Sequence, residues 1–526
     1  MRVSPVLLDG AWRPSTGTKT FQSINPATKA PLEEVFPVSP WPEIEAAIHA
    51  ASRAASVVRN WPGERFARFL ESYAQRIEAR AADLIALANQ ETALPVEPRL
   101  AKAELPRTTS QLRQAAAAAR DGSWRRPIID SAANLRSQFE PIGPVVVFGP
   151  NNFPFAFNGI AGGDFAAAVA AGNPVIAKGH SSHPGTTRLF AVEAHEAARE
   201  TDLPPGFIQL VYRTDHADGE RLVAHRLIGA TGYTGARETG LVLKRAADAA
   251  GKPFYAELSS INPVCVLPGA LRERQAALAD EFTASCLMGA GQFCTNPGLV
   301  LLLADSNTDQ FIELVRQKFD AAPAGTLLGT GVLHHLERGI AALRGAGAEL
   351  LAGGQPAEGT RCAFRNTLLR VSGKQFLAAT EHLQTEAFGN SSLLVVAENA
   401  DQLAQIIDAL EGNLTGTIYS ATDGSDDALY AQIEPGLRRR VGRLLNDKMP
   451  TGVAVSAAMN HGGPFPATGH PGFTAVGIPT SISRFAMLAC YDAVRPQRLP
   501  PALQNQNPTG ALWRLVDGVW TQGNVG

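Results

Sequence analysis

PVVVFGPNNFPFAFNGIAGGDFAAAVAAGNPVIAK, residues 144–178, joins an apolar run, a glycine-punctuated turn, an alanine-rich stretch and a second apolar run. Unbroken Val/Ile/Ala runs read as strands covered on both faces, and a helix between two of them supplies the crossover of a parallel pair. The alternation continues through RLFAVEAHEAARE, IQLVY, LVAHR, LIGATGY, LVLKRAAD and PFYAE. It predicts a doubly wound α/β sheet of nucleotide-binding type.

A second alternation follows in LVLLLAD, QFIELVRQKF, SLLVVAE, DQLAQIIDAL, TGTIYSA and GRLLND, which predicts a second α/β domain over 261–452. Upstream, EIEAAIHAASRAASVV, ERFARFLESYAQRIEARAADLIALANQE and TTSQLRQAAAAAR carry apolar residues every three or four positions and form a helical layer. SWRRPIID and NLRSQFEP predict a hairpin over 124–140 that projects as an arm. The expected division is a nucleotide-binding domain from 1–123 and 141–260, a catalytic domain over 261–452, and an oligomerisation arm with C-terminal tail from 124–140 and 453–526. The stretch after about residue 452, rich in glycine and proline, and the tail from Pro500 read as surface loop.

Composition excludes several roles. Of 526 residues 45% are hydrophobic and 18% charged, with net charge −2, so the chain carries no electrostatic footprint for nucleic acid. No window of 18 consecutive apolar residues and no basic start with an apolar core are present, which argues against a membrane span or a secretory leader. Five irregularly spaced cysteines form neither a disulfide framework nor a metal pattern, and a free thiol fits a reducing compartment. The cytoplasm is the expected location, and no metal is expected.

Cys294 stands apart from the other four cysteines. Gly289, Gly291 and Gly298 bracket it in GAGQFCTNPG, where close backbone approach is expected, and Glu257 precedes it in FYAELSSINP. A thiol with a carboxylate upstream suits a covalent nucleophile and the base that hydrolyses its adduct. Cys265, Cys286, Cys362 and Cys490 lie in or near apolar runs and are expected to be packing residues. No GxGxxG follows the first strand, so a dinucleotide would be held another way. Lys178 at a strand end could meet ribose hydroxyls or phosphate, and the glycines of GYTGARETG, residues 232–240, permit backbone approach to phosphate.

GPNNFPF (149–155), PVIAK (174–178), GYTGARETG (232–240), ELSSINP (257–263), GQFCTN (291–296) and EAFG (386–389) occur in the order and spacing of the aldehyde dehydrogenase superfamily. The resemblance runs from about residue 8 to 490. AELSSINPV, AGQFCTNPGLV and PTGVAVSAAMNHGGPFPAT resemble the branch that contains NADP-dependent 2,5-dioxovalerate (α-ketoglutaric semialdehyde) dehydrogenases and a bacterial fatty aldehyde dehydrogenase.

The resemblance implies an aldehyde dehydrogenase fold and a role for each motif. Cys294 would attack the aldehyde, Asn152 and the Cys294 N–H would hold the oxyanion, and Glu257 would activate water to release a carboxylic acid. Lys178 resembles the lysine that binds the adenosine ribose. Ser181 stands where NAD-preferring members carry a glutamate, which, with His180 and His216 as further donors, favours NADP over NAD. Gly235 would lie near the pyrophosphate, Glu386 would hold the nicotinamide ribose and Phe388 would sit beside it. Asn390 and Tyr233 replace the usual proline and phenylalanine. Arg107 and Gln111, one helical turn apart on the helix that lines the substrate tunnel, could bind a distal carboxylate, and Phe153 and Phe465 could line an apolar path. The substrate expected is 2,5-dioxovalerate, with a medium- or long-chain aldehyde or a non-catalytic scaffold as alternatives. A homodimer or homotetramer is the expected assembly.

Overall fold

Strands buried on both faces are largely apolar, and a polar residue within one must be hydrogen-bonded, as Gln209 is to Ala47 O. In the computed structural model, which describes residues 3–526, the runs read from the sequence form such strands. Val145–Phe148, Val175–Lys178, Ile208–Val211, Ala230–Thr234 and Phe254–Glu257 lie parallel in one seven-stranded sheet. The antiparallel pair Val6–Leu8 and Ala11–Arg13 completes its far edge. From the central strand Val145–Phe148 the chain winds outward in one direction, then returns to Ala230–Thr234 on the other side. That reversal is the switch point where open parallel sheets bind ligands, beyond the strand carboxyl ends.

The second seven-stranded sheet runs Glu349–Ala352, Thr367–Ser372, Ser391–Ala397, Leu299–Leu303, Val264–Val266, Asn413–Tyr419 and Val441–Asn446, parallel except for its first strand. Helices cover both sheets, and alanine at the contacts lets them approach closely: Ala115, Ala116, Ala166, Ala167 and Ala168 are all fully buried. The long helical stretch expected over 64–91 is broken at Arg80 into Gly63–Ala79 and Ala81–Thr92. LVAHR is no strand; Leu222 and Val223 are buried residues of the helix His216–Ala224.

The hairpin over 124–140 is present as Ile128–Asp130 and Leu135–Pro141. Two readings of the C-terminal region are corrected. The tail is not loop: Arg514–Val516 and Val519–Thr521 form a hairpin that extends the arm into a five-stranded sheet with Ala486–Asp492. Arg514 anchors it from a buried position, donating to the Gln504 and Gly523 carbonyls at 2.6 and 2.7 Å. Residues after 452 are not surface tail either, because they fold back over the first sheet, where Leu258 N donates to Ala467 O and Gly469 N to Ala256 O. Cys265, Cys286 and Cys362 are buried as expected, but Cys490 is exposed, because the strand Ala486–Asp492 forms an open edge of the arm sheet.

Among the described residues no helix is long and apolar enough to cross a membrane. Residues 1 and 2 of the expected first domain lie outside the described residues.

Candidate active site

The strand carboxyl ends of the first sheet carry the candidate residues. Asn152 follows Val145–Phe148, Lys178 ends its own strand, Gly235 follows Ala230–Thr234 and Glu257 ends the edge strand. Cys294 reaches the same place from the second domain through a tight turn. Gly291 has φ +68°, and a Cβ there would stand 2.1 Å from the Gly389 carbonyl oxygen, so only glycine fits. Asn262 pins the turn from below, its Nδ2 donating to the carbonyls of Cys294 and Asn296, both at 2.9 Å.

The centre holds a residue that the sequence reading did not single out. His461 Nε2 lies 3.3 Å from Cys294 Sγ and 3.0 Å from Glu257 Oε1. The histidine and the glutamate side chains are each only 1% exposed. Burial alone would lower the imidazole's proton affinity, but the adjacent Glu257 and Cys294 charges more than offset this and raise its pKa to about 10. Both contacts use the same nitrogen, so one proton position is shared among sulfur, imidazole and carboxylate. When Nε2 presents its lone pair it can accept the thiol proton; when protonated it can donate to sulfur or to Glu257. The clue in the sequence was the lone histidine in MNHGGPFP, a loop without packing periodicity, where conformational freedom is spent for a reason.

Asn152 is buried, and its Nδ2 donates to Gln292 O at 3.0 Å, which ties it to the cysteine turn. Its backbone is clamped from the other side. Arg99 Nη2 donates to Asn152 O at 2.7 Å and Nε to Glu104 Oε1 at 2.9 Å, while Glu104 Oε2 accepts from the Phe155 and Ala156 N–H groups. The Arg99 guanidinium packs over the rings of Phe153 and Phe293, at 4.2 and 4.4 Å, and so braces the residues next to Asn152 and Cys294 together.

A cavity of about 540 Å³ leads to Cys294 and His461, walled by Arg107, Phe153, Phe157 and Phe293. Arg107 Nη1 donates to Val453 O at 3.2 Å, whereas its buried Nε and Nη2 have no partner. Burial lowers its pKa, opposed by the charges of Cys294 and Glu104. Gln111 does not line this cavity. Although one turn from Arg107, it is buried and its Nε2 donates to Ala156 O at 3.0 Å, a support for the Asn152 loop. Phe465 does not line it either, being 59% exposed with the Arg237 guanidinium 6.0 Å from its ring.

Glu386 and Phe388 border a cleft with Ser260, Gly291 and Asn296 beside the cysteine turn. Burial raises the Glu386 pKa to about 7, against hydrogen bonds from the Ser259 hydroxyl and the Ser260 N–H. Gly235 N donates to Glu257 O at 3.2 Å, and a Cβ at Gly235 would meet the Tyr233 hydroxyl at 2.8 Å. Asn390 is fully buried and bonds Phe364 O and Asn366 Oδ1, so it fills its position with polar contacts.

Around Lys178 the structure separates the candidate donors. Burial, with the Arg213 charge adding to it, lowers the Lys178 pKa to about 8. His180 stacks on His183 at 5.3 Å, and burial holds it far below the usual histidine range, so it is a neutral donor rather than a cation. Ser181 lies partly exposed in the turn between them. His216 is exposed at the start of its helix, beside the Lys19–Asp215 ion pair, and among the described residues no contact joins it to Lys178. Arg213, an exposed cation that the sequence reading passed over, is near enough for its charge to act on Lys178.

The chain belongs to the aldehyde dehydrogenase family, whose pattern it matches over residues 12–439. Among individual relatives it is 40% identical to alpha-ketoglutaric semialdehyde dehydrogenase 2 of Azospirillum brasilense, over 98% of this chain and 99% of that one. It is 36% identical to the alpha-ketoglutaric semialdehyde dehydrogenase of Acinetobacter baylyi, over 97% of each. The fold is similar to that of PnpE in complex with nicotinamide adenine dinucleotide, with a TM-score of 0.79 at 19% identity over 94% of this chain and 98% of that one.

Proposed function

We propose that this aldehyde dehydrogenase oxidises 2,5-dioxovalerate (α-ketoglutaric semialdehyde) to 2-oxoglutarate with NADP. The observation that carries the substrate assignment is Arg107: a buried guanidinium with two unpartnered nitrogens on the wall of the cavity that ends at Cys294. A carboxylate satisfies such a group in a bidentate manner and neutralises it, whereas an alkyl tail leaves it unpaired. The two α-ketoglutaric semialdehyde dehydrogenases similar to this chain support the same reading.

His461 takes the Cys294 proton, and the thiolate attacks the aldehyde carbon. The Asn152 amide and the Cys294 N–H stabilise the oxyanion of the thiohemiacetal, each such donor contributing about 10²- to 10³-fold. Bound between Glu386 and the Cys294 turn, a nicotinamide would supply the hydride acceptor needed for oxidation of this adduct to the thioester. Glu257, with His461 beside it, then deprotonates water, whose attack breaks the C–S bond; the carboxylic acid leaves and the sulfur regains a proton.

The donor set fits a dinucleotide phosphate. Lys178 feels the like charge of Arg213, which an anion relieves, and no carboxylate stands at Ser181 to repel a 2′-phosphate. Glu386 would accept from the nicotinamide ribose hydroxyls, with Phe388 beside them, and Gly235 would leave room for the pyrophosphate. Because Lys178 loses its charge near pH 8, KM for NADP is expected to be flat below that pH and to rise above it, by up to about tenfold per unit. The rise should be smaller with NAD and absent in Lys178→Met; initial rates between about pH 6.5 and 9.5 measure it.

We assign residues 1–123 and 141–260 to nucleotide binding and 261–452 to a catalytic domain that also receives His461 from the following loop. The exposed Met487, Leu488 and Trp520 on the five-stranded arm sheet support self-association as a dimer or tetramer.

Initial rates with 2,5-dioxovalerate and with a medium-chain aliphatic aldehyde, each with NADP and NAD, test the function. The keto acid should be preferred, and Arg107→Met should lower its kcat/KM by about 10- to 100-fold, the range for a lost charged hydrogen-bond pair. The same substitution should leave the aliphatic aldehyde unchanged or improved. An equal loss with both would remove Arg107 from carboxylate recognition, and a preference for the aliphatic substrate would overturn the substrate assignment.

A further inference from the structure

The proton shared by Cys294, His461 and Glu257 occupies a position where three metal-ligating atoms of different kinds converge. A thiol sulfur, an imidazole nitrogen and a carboxylate oxygen all lie within 4.8 Å of one another. The sulfur–nitrogen and nitrogen–oxygen separations are 3.3 and 3.0 Å. In a tetrahedral zinc site, metal–ligand bonds of about 2.0–2.3 Å put neighbouring ligand atoms roughly 3.3–3.6 Å apart. The sulfur and the carboxylate oxygen lie within 4.8 Å of each other, so closing the cluster to that geometry takes a shift of up to roughly half an ångström in each side chain. A second observation points to a ligand: Glu257 Oε2 is buried and has no hydrogen-bond partner. The cavity in front of Cys294 leaves a fourth position open to water.

We propose that Cys294, His461 and Glu257 form a binding site for a borderline-soft divalent cation, zinc foremost, and that its occupation switches the enzyme off reversibly. Binding exchanges a proton for the metal: zinc–sulfur, zinc–nitrogen and zinc–oxygen bonds form, and the one proton shared among the three atoms passes to water. No oxidation state changes. The thiolate and carboxylate together neutralise the dication, which offsets the opposition of the Arg107 charge nearby. Magnesium is excluded by its demand for octahedral oxygen ligands. The sulfur that must attack the aldehyde, the imidazole that must take its proton and the carboxylate that must activate water are all consumed by the metal. Inhibition is therefore complete at one ion per chain and competitive with the aldehyde. This site goes beyond the proposed reaction and does not depend on which aldehyde is the substrate.

Binding is tested on the full-length enzyme without substrate. Competition of zinc with a chromophoric chelator should give one tight site per chain, and cobalt(II) should give a thiolate-to-metal charge-transfer band in the near ultraviolet. Zinc should protect Cys294 from iodoacetamide, and EDTA should restore activity. Cys294→Ser should lose the cobalt band, and His461→Gln should weaken zinc binding at least about 10-fold. Cys490→Ser, which removes the exposed thiol, should alter neither binding nor activity. Near-ultraviolet circular dichroism establishes that each variant is folded, and Glu257→Gln, close in shape to the native side chain, provides a third variant that should weaken binding. Absence of the cobalt band, or zinc affinity unchanged in His461→Gln and Glu257→Gln, overturns the proposal.

Discussion

Replacing Cys294 with serine is expected to lower kcat/KM for the aldehyde by at least about 10⁴-fold, as removal of a nucleophile that acts together with its base does in other covalent enzymes. The expectation follows from the pairing of the sulfur with His461 at 3.3 Å. A thiol gives up its proton to an imidazole near neutrality, whereas a serine hydroxyl in the same place holds its proton far more strongly and needs a base in the transition state itself. Asn152, Glu257 and the cofactor residues are untouched by the substitution. NADP should therefore still bind, seen by equilibrium titration, while aldehyde-dependent absorbance of the reduced nicotinamide disappears. A non-catalytic scaffold of the same fold would show the same low rate in both proteins, and an unchanged rate in the variant would remove the nucleophile from the mechanism.

The parts of the site that were legible in the sequence are those whose local pattern is imposed by covalent neighbours. Cys294 was marked by Gly291, which the structure requires because its backbone meets Gly389, and Glu257 by its place at the end of an apolar strand. The parallel strands were legible for a similar reason, since a strand buried on both faces leaves few polar residues in its run. His461 was only faintly legible: the aperiodic loop MNHGGPFP marks the position, but its role comes from contacts with residues 167 and 204 positions away that the loop does not name. Gln111 fails in the opposite sense. Helical spacing put it beside Arg107, but spacing does not say which amide finds a backbone carbonyl first, and Ala156 O takes it. The C-terminal hairpin did carry a signal. Asp517 and Gly518 both have positive φ, the Asp-Gly turn that matches the twist of paired strands, between RLV and VWT.

His461 to glutamine is the substitution that separates proton transfer from packing. Glutamine can keep a hydrogen bond toward Glu257, so the buried contact survives in part, but it cannot take the thiol proton. A loss of about 10²- to 10⁴-fold in kcat is expected at neutral pH, the range for a positioned general base. The direction of its pH dependence distinguishes the role. On the proposed mechanism His461 removes the proton from Cys294 at neutral pH; in the variant that task falls to hydroxide, so the deficit should narrow as the pH is raised. A residue that merely packed the loop would give a deficit independent of pH. The same variant should also slow alkylation of Cys294 by iodoacetamide at neutral pH, a reading of thiolate availability that needs neither cofactor nor aldehyde. Because Nε2 touches both Sγ and Glu257 Oε1, deacylation should suffer as well. Single-turnover experiments should show a slower burst of reduced nicotinamide followed by a slower steady state, whereas Glu257→Gln should keep the burst and lose only the second phase. A full burst rate in His461→Gln would assign the thiol proton to another acceptor and leave His461 as a support for Glu257 alone.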